Sequence, residues 1–280
     1  MSNIIKAMIF GVVQGITEWL PISSTGHMIL VEEFVQFTDI SPRFWEMFLV
    51  VIQFASILAV VILFWSKIFP LSKDEKSGAF YIKKDILSLW LKVLVACIPA
   101  AVIGLLFDEV FERLFYNSIS VSIVLVLFGI AFIVIENKNK GRIAKIDSLT
   151  EITYYTAVII GIFQLIAAIF PGTSRSGATI IGALLIGVSR TVAAEFTFIL
   201  AIPVMAGASL LKLVKFGFSF TGTEAAILIT GMITAFFVSI VVIRFLLRYI
   251  RKNDFKVFGY YRIGLGILIL CYFSFILPFF

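Results

Sequence analysis

Gly11-Val-Val-Gln14-Gly-Ile-Thr-Glu18-Trp-Leu-Pro21-Ile-Ser23-Ser24 is an apolar stretch interrupted by an amide, an acid, a proline and two serines. A second stretch, Gly161-Ile-Phe-Gln164-Leu-Ile-Ala-Ala-Ile-Phe-Pro171-Gly172-Thr173-Ser174, lies 150 residues downstream. Gly, Gln, Ile, Pro and Ser coincide at 11/161, 14/164, 16/166, 21/171 and 24/174. Agreement between apolar residues is cheap, so the isoleucine carries no weight. Gln, Pro and Ser in one register do carry weight, and they predict an internal repeat. The next helix continues it, with Glu46 opposite Glu195 at a shift of 149.

Around these stretches the chain is 61% hydrophobic and 14% charged, against about 25% charged residues in a soluble domain. Val50–Phe64 holds only Gln53 and Ser56 as polar residues, and 119–135, 225–243 and 265–280 carry no charge. Such runs read as transmembrane helices, because only a backbone that satisfies its own hydrogen bonds crosses hydrocarbon. A soluble all-α protein of 280 residues lacks the polar surface to hide them. Six full spans are expected, at about 44–65, 93–107, 119–136, 191–214, 224–249 and 257–280, the second of them short. Residues 4–37 and 152–189 fit no span. Each has apolar arms broken by a proline and hydroxyls, as in a re-entrant hairpin.

The expected fold is an all-α polytopic membrane protein, a single membrane domain over 1–280. Repeat 1 covers about 1–136 and repeat 2 about 151–280, joined by a basic linker at 137–150. Each half is a re-entrant hairpin plus three spans. An odd number of spans inverts the second copy, so the two apices should meet near the midplane, as in inverted-repeat transporters.

Loop charge gives the orientation. Segments 66–92, 137–150 and 248–262 carry six, four and five Lys/Arg, the last set being Arg248, Arg251, Lys252, Lys256 and Arg262. Segments 38–46, 107–118 and 215–223 carry one each. The basic set is expected in the cytoplasm and both termini outside it. The net charge of +6 is thereby explained without a nucleic-acid partner. No cleavable signal peptide is expected, because the first apolar run is broken by Gln14, Thr17 and Glu18 and lacks a small-residue cleavage site. Cys97 and Cys271 sit in apolar runs and read as core residues, not as a disulfide or metal pair.

The two apices carry the polar chemistry. Gln14 and Glu18 are four apart and share a helix face. Pro21 stops that helix. Ser23, Ser24 and Thr25 fall where the next helix starts, among free N–H groups, and His27, the one histidine in the chain, follows. The second apex is Pro171-Gly172-Thr173-Ser174-Arg175-Ser176-Gly177-Ala178-Thr179. A cation at the depth of Arg175 costs several kcal/mol by the lower estimates and is retained if it meets an anion. Helix N-termini, hydroxyls and a guanidinium together make an anion site, and phosphate matches the arginine fork best. Taken singly, a hydroxyl cluster after proline reads as a helix cap, a buried Glu–Arg pair as structure, and a lone histidine as inert. Convergence of Glu18, His27 and Arg175 on two facing apices favours function. Glu46 and Glu195, at span starts, read first as partners of the helix dipole. On these residues alone two classes stay open: a phosphate-processing enzyme, and a secondary transporter or lipid flippase built on inverted repeats.

With those residues in view, the chain resembles the undecaprenyl-diphosphate phosphatases of the bacitracin-resistance type. Gln14-x-x-x-Glu18 followed by Pro21-Ile-Ser23-Ser24-Thr25-Gly26-His27-Met28 looks like the family's first signature, and Pro171 to Thr179 like its second. The resemblance spans essentially the whole chain. It implies a bacterial inner-membrane hydrolase that converts undecaprenyl diphosphate to the monophosphate and inorganic phosphate. That activity recycles the lipid carrier for cell-wall synthesis and confers bacitracin resistance. It further implies a divalent cation and an active site open to the outer face. On that reading Glu18, Ser24, His27 and Arg175 are catalytic. Ser23, Thr25, Gly172, Thr173, Ser174, Ser176 and Thr179 cradle the phosphates, and Gln14 with Glu18 binds Mg²⁺ or Ca²⁺. The nucleophile is either Ser24, with His27 taking its proton, or a water. The implied partner is a polyprenyl diphosphate lipid; a homodimer is compatible with the class, although no residue argues for one.

Overall fold

Capping residues set where the helices begin. The computed structural model describes residues 1–73 and 79–276. Helix α1 (Asn3–Thr17) starts behind Ser2, and α2 (Ser24–Phe34) follows the break at Pro21. Ser41 caps α3 (Pro42–Leu63), with Pro42 in the first turn where its missing N–H is harmless. A short α4 (Trp65–Ile68) and an antiparallel hairpin of β1 (Leu71–Lys73) and β2 (Phe80–Ile82) lead into α5 (Lys84–Phe115). Asn117 caps α6 (Ser118–Asn139). The linker then reaches α7 (Tyr154–Ile169), capped by Thr153, and α8 (Arg175–Leu185). Ser189 caps α9 (Arg190–Phe216), and Thr221 with Glu224 forms a capping box for α10 (Gly222–Ile250). The described residues end in α11 (Lys256–Cys271) and a π turn at Tyr272–Ile276.

Among the described residues, six helices are long and apolar enough to cross a membrane: Pro42–Leu63, Lys84–Gly104, Ser118–Asn139, Arg190–Phe216, Gly222–Ile250 and Lys256–Ser274. Leu58, Ile62, Leu94, Ile98, Leu127 and Val241 are exposed, as lipid-facing side chains are. The spans match the expected ones except the second, which begins at Lys84 instead of 93. Lys84, Asp85 and Lys92 dilute the apolar signal there, although the helix is continuous. The same helix runs on through Arg113 to Phe115, so most of 107–118 is helix and not loop. Lys76 and residues 277–280 of the sixth expected span lie outside the described residues.

Helix contacts come in pairs. Helix α1 lies against α10, and α7 against α5, while α2 and α8 each pack on α6. Helix α3 packs on α9 and α10, α9 packs on α3 and α5, and α6 packs on α11. Small residues sit at the crossings, where close backbone approach lets apolar helices associate without a hydrophobic drive between them. A Cβ on Gly129 or Gly259 would come within 2.7 Å of the other's carbonyl oxygen. Gly11 meets Gly231 and Ala235 in the same way, and Gly161 meets Ala96. Gln164 reaches across α7 to the Ala96 carbonyl of α5 at 3.5 Å. Glu46, near the start of α3, pairs with Lys212 near the end of α9 at 3.5 Å. Glu195, near the start of α9, pairs with Lys67 just beyond the end of α3 at 2.6 Å. Both carboxylates thus have lysine partners besides the helix dipole. Cys271 is exposed and not a core residue.

Candidate active site

Each break is built by the same local device. After Thr17 and Ile169 the chain turns, and the next helix is capped by a serine with φ in the left-handed region, 75° at Ser23 and 66° at Ser174. That conformation costs a non-glycine residue about 1 kcal/mol or more. A cap offsets it: Ser23 Oγ accepts the Gly26 N–H and Ser174 Oγ accepts the Gly177 N–H, both at 3.2 Å. The equivalent serines are therefore 23 and 174, not 24 and 174 as the constant shift of 150 suggests. Gly172, at φ 92°, is the extra residue in the second break. The position after the cap is then Ser24 in one apex and Arg175 in the other.

The apices touch. Arg175 Nη2 lies 3.0 Å from Glu18 Oε1, and Arg175 Nη1 donates to the Thr197 carbonyl at 3.1 Å. Glu18 Oε2 accepts from Gln14 Nε2 at 3.1 Å and from Ser24 Oγ at 3.2 Å. Ser176 Oγ donates to the Glu18 backbone carbonyl at 3.1 Å and lies 3.1 Å from Ser174 Oγ. The Arg175 and Glu18 side chains are only 13% and 8% exposed. A pair this dry is strongly coupled: removing one partner of such a pair costs about 3–5 kcal/mol, because the other charge stays buried.

The remaining expected residues divide. Thr179 is fully buried, and its hydroxyl is committed to the Arg175 carbonyl at 2.8 Å and to Thr197 Oγ1 at 2.9 Å, so it shapes the helix start. Thr173 is also buried, with Oγ1 unpartnered, as are Trp19 Nε1 and Arg262 Nε. Thr25 is half-buried one residue after Ser24.

His27 stands slightly apart. Its Nδ1 is 2.7 Å from the Ser23 carbonyl. A carbonyl only accepts, so in the neutral ring the proton is on Nδ1 and Nε2 is bare. Nε2 is 2.7 Å from the Tyr261 hydroxyl, and the two rings stack with planes 4° apart. The hydrogen-bond partner of Ser24 is thus Glu18 and not His27.

Two neighbouring residues of α11, Tyr261 and Arg262, were not expected at the site. Arg262 is fully buried. It donates to Pro21 O at 3.3 Å in the first apex, and to Gly172 O at 3.1 Å and Thr173 O at 2.7 Å in the second. It ties the two breaks together through their backbones. Counting it as a loop cation was wrong. The available signal was that Arg262 lies inside the expected span 257–280, where a cation needs buried partners. Gly177 leaves it room, since a Cβ there would sit 2.9 Å from Arg262 Nη1.

Among the described residues no three of His, Cys, Asp and Glu gather as a metal site. Gln14 and Glu18 offer one carboxylate and one amide oxygen. That suits a Mg²⁺-type cation whose other ligands are substrate phosphates and water.

The chain is similar to known proteins over nearly its whole length. The family model for bacitracin resistance protein BacA matches residues 7–268. A protein of Desulfitobacterium hafniense named undecaprenyl-diphosphatase is 62% identical over 98% of this chain and 97% of its own. Undecaprenyl-diphosphatase 1 of Clostridium acetobutylicum is 61% identical over 97% of both chains. An Enterococcus faecalis undecaprenyl-diphosphatase is 58% identical over 96% of both.

Proposed function

The chain belongs to the BacA bacitracin resistance family, and from that premise we infer its activity: it is an undecaprenyl-diphosphate phosphatase of a multi-pass membrane type. It removes the terminal phosphate of undecaprenyl diphosphate, leaving the monophosphate that serves again as lipid carrier in cell-wall synthesis, and its action underlies bacitracin resistance. Its substrate is a polyprenyl diphosphate lipid.

The observation that carries the site is the 3.0 Å contact between Glu18 of one apex and Arg175 of the other. Phosphoryl transfer depends on positioning and charge stabilisation. Arg175 takes the terminal phosphate in its fork. The N–H groups that open α2 and α8, with the hydroxyls of Thr25, Ser174 and Ser176, cradle the same group. Ser24 is the nucleophile the hydrogen bonds favour, because its hydroxyl already donates to Glu18, a nucleophile and base in contact. Ser24 Oγ attacks the terminal phosphorus, Glu18 takes its proton, and the bond to the bridging oxygen breaks, releasing the lipid monophosphate. Water then attacks the phosphoserine, its proton passing through the Tyr261 hydroxyl to His27 Nε2, while Glu18 returns its proton to the departing Ser24 Oγ and inorganic phosphate leaves. Glu18 and Gln14 would hold a divalent cation, which would neutralise charge on the diphosphate.

The helix contacts support an inverted repeat of two re-entrant hairpins, each followed by three spans. The packing of α1 on α10 has its counterpart in α7 on α5, that of α3 on α10 in α9 on α5, and that of α2 on α11 in α8 on α6. The inner arms α2 and α8 have 11 residues each, about 16 Å of helix, or half of a hydrocarbon core of about 30 Å. The basic loops then face the cytoplasm, the termini lie outside it, and the site opens to the outer face.

The test is phosphate release from a polyprenyl diphosphate by the purified protein, with and without a chelator. Release that the chelator abolishes and Mg²⁺ or Ca²⁺ restores is expected; release indifferent to chelation removes the cation from the proposal. Acid quenching of a turnover mixture with labelled substrate should trap phosphate on Ser24. Substantial turnover by Ser24→Ala would instead assign the attack to water.

A further inference from the structure

The basic linker helps to form a pocket whose lining includes none of the apex residues. Helix α6 ends at Asn139, α8 at Leu185 and α10 at Ile250, and α9 begins at Arg190. Where these ends meet, the linker folds back on the chain: Lys145 N–H donates to Gly187 O and Ser189 N–H to Ile146 O, both at 2.8 Å. They line an open pocket of about 400 Å³. Arg142, Lys145, Arg190 and Arg251 line it, against one carboxylate, Glu136. That carboxylate is spent. It is almost fully buried, it accepts two bonds from Arg190 Nε and one from Nη2, and it accepts the Phe255 N–H at 3.0 Å. No hydrogen bond or ion pair compensates the side chains of Arg142, Lys145 and Arg251 among the described residues. Like charges gathered around one concavity repel, and the natural relief is a bound anion.

A second, independent feature says what kind of anion. Ile143, between Arg142 and Lys145, is 95% exposed. It lies four residues beyond the end of the Ser118–Asn139 span, within reach of a membrane surface. There an apolar side chain flanked by cations inserts into the boundary between head groups and acyl chains. A soluble anion would have no use for it.

We propose that this pocket binds the head group of an anionic phospholipid, with its phosphate among Arg142, Lys145 and Arg251 and Ile143 dipping into the acyl boundary beside it. The site is separate from the apices: neither Glu18 nor Arg175 lines it, and it stands whether or not the catalytic roles above hold.

Native mass spectrometry of the full chain, released from detergent containing equal phosphatidylglycerol and phosphatidylcholine, tests it. Wild type should retain phosphatidylglycerol preferentially. The Arg142→Gln/Arg251→Gln variant should lose about thirtyfold of that preference, at roughly fivefold per charge. Ile143→Ser should lose severalfold. Hydrolysis of polyprenyl diphosphate in the same detergent should be unchanged, since none of these residues touches the apices. Equal retention by wild type and the double variant overturns the proposal. So does displacement of the lipid by inorganic phosphate with the same strength in wild type and Ile143→Ser, which would mark a free-anion pocket. If the double variant unfolds, Lys145→Gln and Ile143→Ser, both at exposed positions, give the same reading singly.

Discussion

The two broken hairpins share a backbone and differ in chemistry. Both turn through a proline, both cap the returning helix with a serine in the left-handed region, and both place a glycine three residues after that cap. One position after the cap, the first apex has Ser24 and the second has Arg175; four after it, His27 stands opposite Ala178. Before the break, Gln14 and Glu18 on one side face Gln164 and Ala168 on the other in sequence register. One apex therefore carries acid, hydroxyl and imidazole, and the other carries the cation. Two helix starts meet at one place, and on the proposed mechanism the divergence of a few side chains makes that place reactive.

Substitutions can separate these contributions. The largest effect is expected for Arg175→Ala, a loss of about a thousandfold in phosphate release. Near-normal turnover would reduce the second apex to a scaffold. Arg262→Met should act on both apices at once. It leaves the carbonyls of Pro21, Gly172 and Thr173 without their donor and should destabilise the fold by about 3 kcal/mol or more. The drop is read as a lower unfolding temperature in detergent, and an unchanged melt would mean the apices hold together without it. Tyr261→Phe keeps the stacked ring and removes one hydroxyl, so about a tenfold fall in kcat with little change in KM is expected. A fall confined to KM would move Tyr261 from the histidine to substrate binding. Smallest are the paired caps: Ser23→Ala and Ser174→Ala should each lose about 1 kcal/mol of stability. Very different losses would show that the two apices are not equivalent even as backbone.

Much of this was readable in advance, for definite reasons. Uncharged runs of span length have one outcome in a chain with so few polar residues, so the spans were legible. The Glu18–Arg175 contact followed from two charges at repeat-related breaks, each needing a partner. The cap register was missed because a constant shift cannot see one inserted residue, Gly172. The start of α5 was hidden because Lys84, Asp85 and Lys92 lie on a helix whose neighbours Leu87 and Leu91 face outward. Tyr261 and Arg262 were missed because a tyrosine and an arginine near a basic loop look like interfacial residues. Only the packing of α11 against α6 and α2 turns them toward the breaks.

The carboxylate that rests against Arg175 has a consequence for the catalytic cycle. On the proposed mechanism the guanidinium is never bare: an incoming diphosphate has to evict Glu18, and when inorganic phosphate departs, Glu18 can return. An internal counter-ion of this kind weakens ground-state affinity while hastening product escape. It keeps a strongly basic trap from clogging with the phosphate it has just made.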